Sequence, residues 1–261
     1  MKTKPKILLK VTAVLAVSML LLLAVTSCIR IVGLNLQGSG NVTTQDREIS
    51  GVNSVSISAG MNLFITQGST EELRIEAEDN IIPRIATEVR NGRLIIKFDN
   101  IIFGVTNKKP INVFLTIKDL KEINASSGAS ITSEGINTEE LSVDLGSGAI
   151  GEIFVDVKNL DVEISSGAQL EISGKTENQK ASLNSAGNYR AGELESKTAV
   201  VNLSSGAMAE INVSEKLDAN VSSGASLRYI GSPEIISNIS SGGELRSISG
   251  GFLFKKLCKV I

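Results

Sequence analysis

One four-residue motif, Ser-Ser-Gly-Ala, limits what this chain can fold into more than any other feature. It stands at residues 126–129, as Gly-Ser-Gly-Ala at 146–149, again as Ser-Ser-Gly-Ala at 165–168, and as Ser-Ala-Gly-Asn at 185–188. It returns at 204–207 and 222–225, and closes as Ser-Ser-Gly-Gly at 240–243. The motif glycines are Gly128, Gly148, Gly167, Gly187, Gly206, Gly224 and Gly242, at successive intervals of 20, 19, 20, 19, 18 and 18. A fixed period in this range marks a solenoid, in which each repeat is one coil.

The flanks say which kind. Leu160, Val162 and Ile164 alternate with Asp161 and Glu163, and Ala168, Leu170 and Ile172 alternate with Gln169 and Glu171. Period two means strands with one buried face. No segment between the motifs carries a sustained apolar stripe of helical period, which separates the pattern from leucine-rich repeats of similar length. Each repeat therefore reads as two short strands around the motif, followed by a polar turn such as residues 174–178. One such unit cannot bury its own apolar face; stacked units can, each strand pairing with its equivalent in the next coil. Equivalent strands then run parallel, and parallel crossovers are right-handed. The expected fold is all-β, a right-handed parallel β-helix or β-solenoid of about 18–20 residues per coil, in two lobes. Seven motifs at about 4.8 Å per step give a stack of roughly 29 Å.

The motif itself reads as a structural corner. The glycine lets the chain bend, by a bulge or a positive φ. Strict alternation through the motif turns Ser166 inward along with Ile164 and Ala168. The second positions, Ser127, Ser147, Ser166, Ala186, Ser205, Ser223 and Ser241, are thus expected to stack inside one corner, where a hydroxyl can bond a neighbouring hydroxyl or the backbone.

The rest of the chain divides around this array. Residues 1–28 open on four lysines, run without a charge through residues 11–25, and end in Thr26, Ser27 and Cys28. That is the layout of a secretory signal, and the charge-free run is short for a membrane span. Val25-Thr26-Ser27-Cys28 is similar to a lipobox, which makes Cys28 the expected lipidation site and the membrane the expected partner of the N-terminus. Residues 29–40 read as a tether, 41–120 as an N-terminal β lobe, 121–250 as the repeat lobe and 251–261 as a tail. In the first lobe, Asn91-Gly92 signals a hairpin, Pro83 a break, and Ser58-Ala59-Gly60 an early echo of the motif. The tail, with Phe252, Phe254 and Leu257, suits either a cap on the stack or a basic amphipathic end near the membrane.

Composition closes off several kinds of chemistry. The chain has no histidine, which removes the commonest general base and metal ligand. Neither a metal nor a cofactor is expected. Removing the signal's four lysines from 26 basic residues leaves 22 against 28 acidic, a formal net charge of −6. No basic stripe interleaved with aromatics exists, so nucleic acid is not an expected partner. With Cys28 lipidated, Cys258 has no partner for a disulfide.

Gly38-Ser39-Gly40-Asn41-Val42, with Arg47 and Ile49, resembles the start of the head GIN domain family of "putative autotransporter adhesins". Residues 57–60, 65–68, 77–83, 120–123 and 135–137 fit the same family, and the resemblance covers about residues 38–250. It implies a two-lobed, solenoid-like protein of the bacterial envelope, exported and lipid-anchored, and no catalytic residue is carried over. The expected function is a non-enzymatic, adhesin-like or structural binding module that meets an extracellular glycan or protein. Recognition is expected on outward residues such as Glu163, Gln169 and Glu171. The alternative is a carbohydrate-active β-helix, a polysaccharide lyase or glycosidase, which needs paired carboxylates or acidic calcium ligands. Asp144, Glu163 and Asp218 are its candidate acids. End-to-end assembly of coils is a third possibility, opposed by the irregular first lobe and the non-repeat tail.

Overall fold

The computed structural model describes residues 35–99 and 104–248. Of the expected tether, 29–40, residues 35–40 belong to the described structure. A first strand, β1 (Asn35–Gln37), pairs in parallel with β8 (Gly104–Thr106). The Glu78 carboxylate, fully buried, then accepts hydrogen bonds from the Gly40 and Lys108 amides.

The repeat region is a β-solenoid of parallel stacked coils. Its strands are β10 (Glu122–Ala125), β11 (Ser130–Leu145), β12 (Ile150–Ile164), β13 (Gln169–Leu183), β14 (Asn188–Leu203), β15 (Met208–Val221), β16 (Ser226–Ile230), β17 (Glu234–Ile239) and β18 (Glu244–Ser247). Each pairs in parallel with its equivalent in the next coil. The coil has a pre-motif face, such as residues 160–164, and a post-motif face, such as residues 150–153. A third stretch joins them. The expected polar turn at 174–178 is not a turn. Gly174 to Asn178 lie inside β13, with Thr176 pointing inward, and only Glu177 and Asn178 show two successive exposed positions.

The stack continues through the first lobe. Strand β3 (Ser54–Ile57) pairs with β10 in parallel, and β4 (Asn62–Gln67) with the start of β11. Above them, β7 (Arg93–Phe98) covers β3 and β9 (Asn112–Ile117) covers β4. The end is closed by antiparallel strands: β6 (Ile85–Arg90) on β7, β5 (Glu72–Glu78) on β9, and β2 (Val42–Arg47) on β5. A single turn of 3-10 helix at Ile82–Arg84, begun by Pro83, leads into β6. The lobes differ in strand direction but share one apolar core from Val52 to Leu227.

The core shows why so few aromatics suffice. The inward column of the post-motif face reads Leu63, Ile131, Gly151, Leu170, Tyr189, Ala209, Leu227. Two small residues make room for large neighbours: Leu170 leans over Gly151, and Ala209 follows Tyr189. A Cβ on Gly151 would lie 2.8 Å from a Leu170 methyl. Tyr189 is buried completely, and burial raises its phenol pKa well above the ordinary value. Its hydroxyl donates to Gln179 Oε1 (3.2 Å), Gln179 Nε2 donates to Ser196 Oγ (2.7 Å), and that hydroxyl donates to the Asn212 carbonyl (2.6 Å). These buried polar groups satisfy one another, as burial requires.

Candidate binding face

The motif residues form a ladder of turns on the solenoid's outside. In the 165–168 turn, Ser166 has φ 52° and Gly167 φ 72°, and the Ala168 amide donates to the Ser165 carbonyl (3.1 Å). Positive φ at both central residues with this bond is the pattern of a type I′ turn. The same pairing of positive φ values occurs at Ser127–Gly128, Ser147–Gly148, Ser205–Gly206, Ser223–Gly224 and Ser241–Gly242, and at Ala59–Gly60 in the first lobe. Each turn is tied to the next by one backbone bond: Gly128 N to Ser147 O, Gly148 N to Ser166 O, Gly167 N to Ser185 O, all 3.0–3.1 Å.

Two sequence expectations are corrected here. The second serines do not point inward: Ser127, Ser147, Ser166, Ser205, Ser223 and Ser241 are all exposed. Two successive left-handed residues push the chain outward, so strand alternation does not pass through the turn. The fourth turn is also shifted by one position. Its left-handed pair is Ser185 (φ 50°) and Ala186 (φ 61°), while Gly187 is buried at the position that Ala168 holds one coil earlier. A Cβ on Gly187 would meet the Ile164 carbonyl at 2.8 Å. In that turn, close approach and not φ requires the glycine. Ser185, not Ala186, is the equivalent of Ser166, and the intervals between turns become 20, 19, 19, 20, 18 and 18. The longest coils contain the register shifts of β11 and β14, so the drift in period is extra chain accommodated as bulges.

The acids singled out from sequence do not converge. Asp144 and Glu163 are neighbours in one outward column of the pre-motif face, between Asn124 and Ser182. Asp218 belongs to a different column, with Asp161, Lys180 and Val200. Asp161 pairs with Lys180 (2.9 Å), whose ammonium pKa is raised by that bond. At the third corner, Glu139, Lys158, Glu177 and Lys197 alternate in sign from coil to coil, with Lys197 3.0 Å from Glu177. That contact, with Lys158 adding to it, holds the Glu177 carboxyl below its ordinary pKa. These ladders neutralise themselves. No cluster of potential metal ligands occurs among the described residues. Cys28 lies outside the described residues, as do the tail and its Cys258.

The post-motif face is different, because it exposes apolar side chains between charges. Phe64, Ile150, Phe154 and Met208 are all exposed there, Ile150 and Met208 each at 52%. Glu171, Arg190, Glu210 and Arg228 follow one another in a single outward column. At the end toward the first lobe, Phe64 stacks on Phe114 with ring centroids 5.2 Å apart, and the Arg74 guanidinium lies 4.8 Å from the Phe114 centroid. Three strands supply this cluster: β4, β9 and β5. An open groove of about 1260 Å³ begins beside it, lined by Phe114, Arg74, Asp46, Glu48, Glu71 and Glu72. Arg47 also lines it. Burial lowers the Arg47 pKa, and the side chain is fixed by bonds to the Ile85 and Ile82 carbonyls and to Thr87 Oγ1. An aromatic pair beside carboxylates and guanidinium groups can stack on a flat ligand surface and hydrogen-bond its rim. Sequence reading missed this cluster, since its members are far apart in the chain.

Known proteins place the fold. A "putative adhesin" from Bacteroides fragilis NCTC 9343 is similar over 82% of this chain and 100% of its own, with 22% identity and a TM-score of 0.74. A "putative lipid binding protein" from Parabacteroides distasonis ATCC 8503 matches over the same shares, with 18% identity and a TM-score of 0.71. A "putative adhesin" from Parabacteroides merdae ATCC 43184 covers 82% of this chain and 99% of its own, with 19% identity and a TM-score of 0.68. No curated protein matches the sequence. The family described as "Putative auto-transporter adhesin, head GIN domain" matches residues 51–233, and the chain belongs to that family.

Proposed function

We propose that the protein is a lipid-anchored component of the bacterial envelope that displays its solenoid as a non-enzymatic, adhesin-like binding module. The observation that carries this is the post-motif face, where Phe64, Ile150, Phe154 and Met208 stand exposed on strands that stack in register. The parallel strands of this face, from β9 at one end to β18 at the other, extend over roughly 38 Å. That is a surface for an extended partner, an extracellular glycan or protein, and no small-molecule pocket is needed. Family membership and the names of two of the similar structures support the same reading. The lipid tether is inferred from Cys28 and the signal before it. Residues 29–34 separate Cys28 from β1, a reach of at most about 25 Å.

The test has two arms. Metabolic labelling with a fatty acid should mark the wild-type protein and leave Cys28→Ala unmarked; an unlabelled wild type ends the lipoprotein proposal. The Cys28→Ala protein, screened on glycan and matrix-protein arrays, should bind a ligand that is lost in Phe64→Ser and Phe154→Ser variants of unchanged fold. Binding that both variants retain would remove the post-motif face from consideration.

A further inference from the structure

One outward row of side chains crosses the first lobe and enters the solenoid without a break in register. It reads Asp46, Arg74, Phe114, Phe64, Thr132 and Glu152, on β2, β5, β9, β4, β11 and β12. The two rings stack on each other, and the Arg74 guanidinium lies over Phe114. Asp46 stands opposite Arg74. On that side of the pair the order is ring, guanidinium, carboxylate, over two strand spacings. On the other side it is ring, threonine, carboxylate, over the same two spacings, about 10 Å. The second face of Phe64 looks across the short Thr132 side chain toward Glu152.

Glu152 lacks the partner that its equivalents have. Further along the row, Glu171 lies 4.0 Å from Arg190, and Glu210 3.6 Å from Arg228. Glu152 has Thr132 on one side and the carboxylate of Glu171 on the other. It makes no ion pair among the described residues. Like charges in register destabilise a sheet, so a cation placed against Glu152 relieves a repulsion as well as gaining an attraction. The flanks are apolar: Ile150 and Phe154, two residues before and after Glu152 on the same strand, are 52% and 48% exposed.

We infer that an arginine side chain of a partner protein docks above Thr132, its guanidinium on the second face of Phe64 and its charge against Glu152. Arg74 on Phe114 is the precedent within the chain. A planar guanidinium stacks on an aromatic face and pairs with a carboxylate, and its apolar stem suits Ile150 and Phe154. An uncharged sugar would use the ring and leave the Glu152 charge uncompensated. The inference rests on the post-motif face being the binding face, and it narrows the partner on that face to protein.

The probe is a tetraarginine peptide, with the tetracitrulline peptide as its uncharged counterpart, titrated onto the full chain carrying Cys28→Ala. The arginine peptide should bind, and the citrulline peptide should bind at least about tenfold more weakly. Glu152→Gln and Phe64→Leu should each weaken the arginine peptide several-fold. Glu163→Gln, the same change of charge on the pre-motif face, should not. A second readout needs no ligand. Thr132→Arg supplies the guanidinium from the chain itself and should raise the melting temperature, a gain that disappears when Glu152→Gln is added. Equal weakening by Glu152→Gln and Glu163→Gln would overturn the inference, as would a Thr132→Arg gain that is independent of Glu152. So would an array ligand that is an uncharged glycan, lost in Phe64→Ser and retained in Glu152→Gln; that result would leave the binding face itself standing.

Discussion

Serine at a left-handed φ is a strained local choice that recurs along this chain. A side chain with a Cβ there is destabilised by about 1 kcal/mol relative to glycine, and asparagine is the non-glycine residue that tolerates it best. Ser166→Asn should therefore raise stability by about 0.5–1 kcal/mol, read as a higher melting temperature. The two neighbouring glycine positions should separate two causes. Gly167 has open space around its missing Cβ and a φ of 72°, so Gly167→Ala should cost only the backbone strain, about 1 kcal/mol. Gly187→Ala meets the Ile164 carbonyl and should cost more, about 1–3 kcal/mol. Equal melting temperatures for the two variants would refute the shift of the fourth turn. That shift was not legible in the sequence. Asn184-Ser185-Ala186-Gly187 offers glycine where local pattern expects it, and only a carbonyl from the preceding coil decides which residue bends.

At the scale of the strand, β10 joins the irregular lobe to the regular one, and Glu122 is its fastening. Its carboxylate accepts from Asn124 Nδ2 (2.9 Å), from Arg93 Nη2 on β7 (2.6 Å) and from Ser54 Oγ on β3 (3.1 Å). These bonds, led by Asn124, lower its pKa below the usual carboxylate value. A lowered pKa in the folded state means that the stabilisation is complete above the unfolded value and is lost as pH falls through the folded one. The melting temperature should decline as pH drops below about 4.5. Glu122→Gln should reduce the neutral-pH value and flatten that acid limb; an unchanged acid limb would show that Glu122 does not fasten the junction. The strands themselves were legible, because Leu160, Val162 and Ile164 alternate plainly. Their partners in the first lobe were not. β3 meets β10 although Ser54 and its partner Glu122 are remote from each other in the chain, and nothing local in either segment signals that pairing. The Phe64, Phe114 and Arg74 cluster was hidden for the same reason.

For the whole molecule, stability is close to a sum over coils and their interfaces. Among the described residues, interior coils have two neighbours and the last has one. Amides of β16, β17 and β18 should exchange with deuterium before those of β12 and β13, while the antiparallel strands should keep β3 and β4 protected. Uniform exchange along the array would contradict a nearest-neighbour stack. The coil period was readable from the motif spacing, as was the all-β class; the closure of the first-lobe end was not, since it depends on strands that leave the repeat.

The turn ladder has a consequence for how such a protein can change. Each turn hands one backbone bond to the next and asks nothing of turns further along. Gain or loss of one repeat unit leaves every remaining bond intact, so the molecule is in effect a ruler graduated in steps of about 4.8 Å. The length of its exposed faces is then set by the number of repeats alone, with no redesign of the ends.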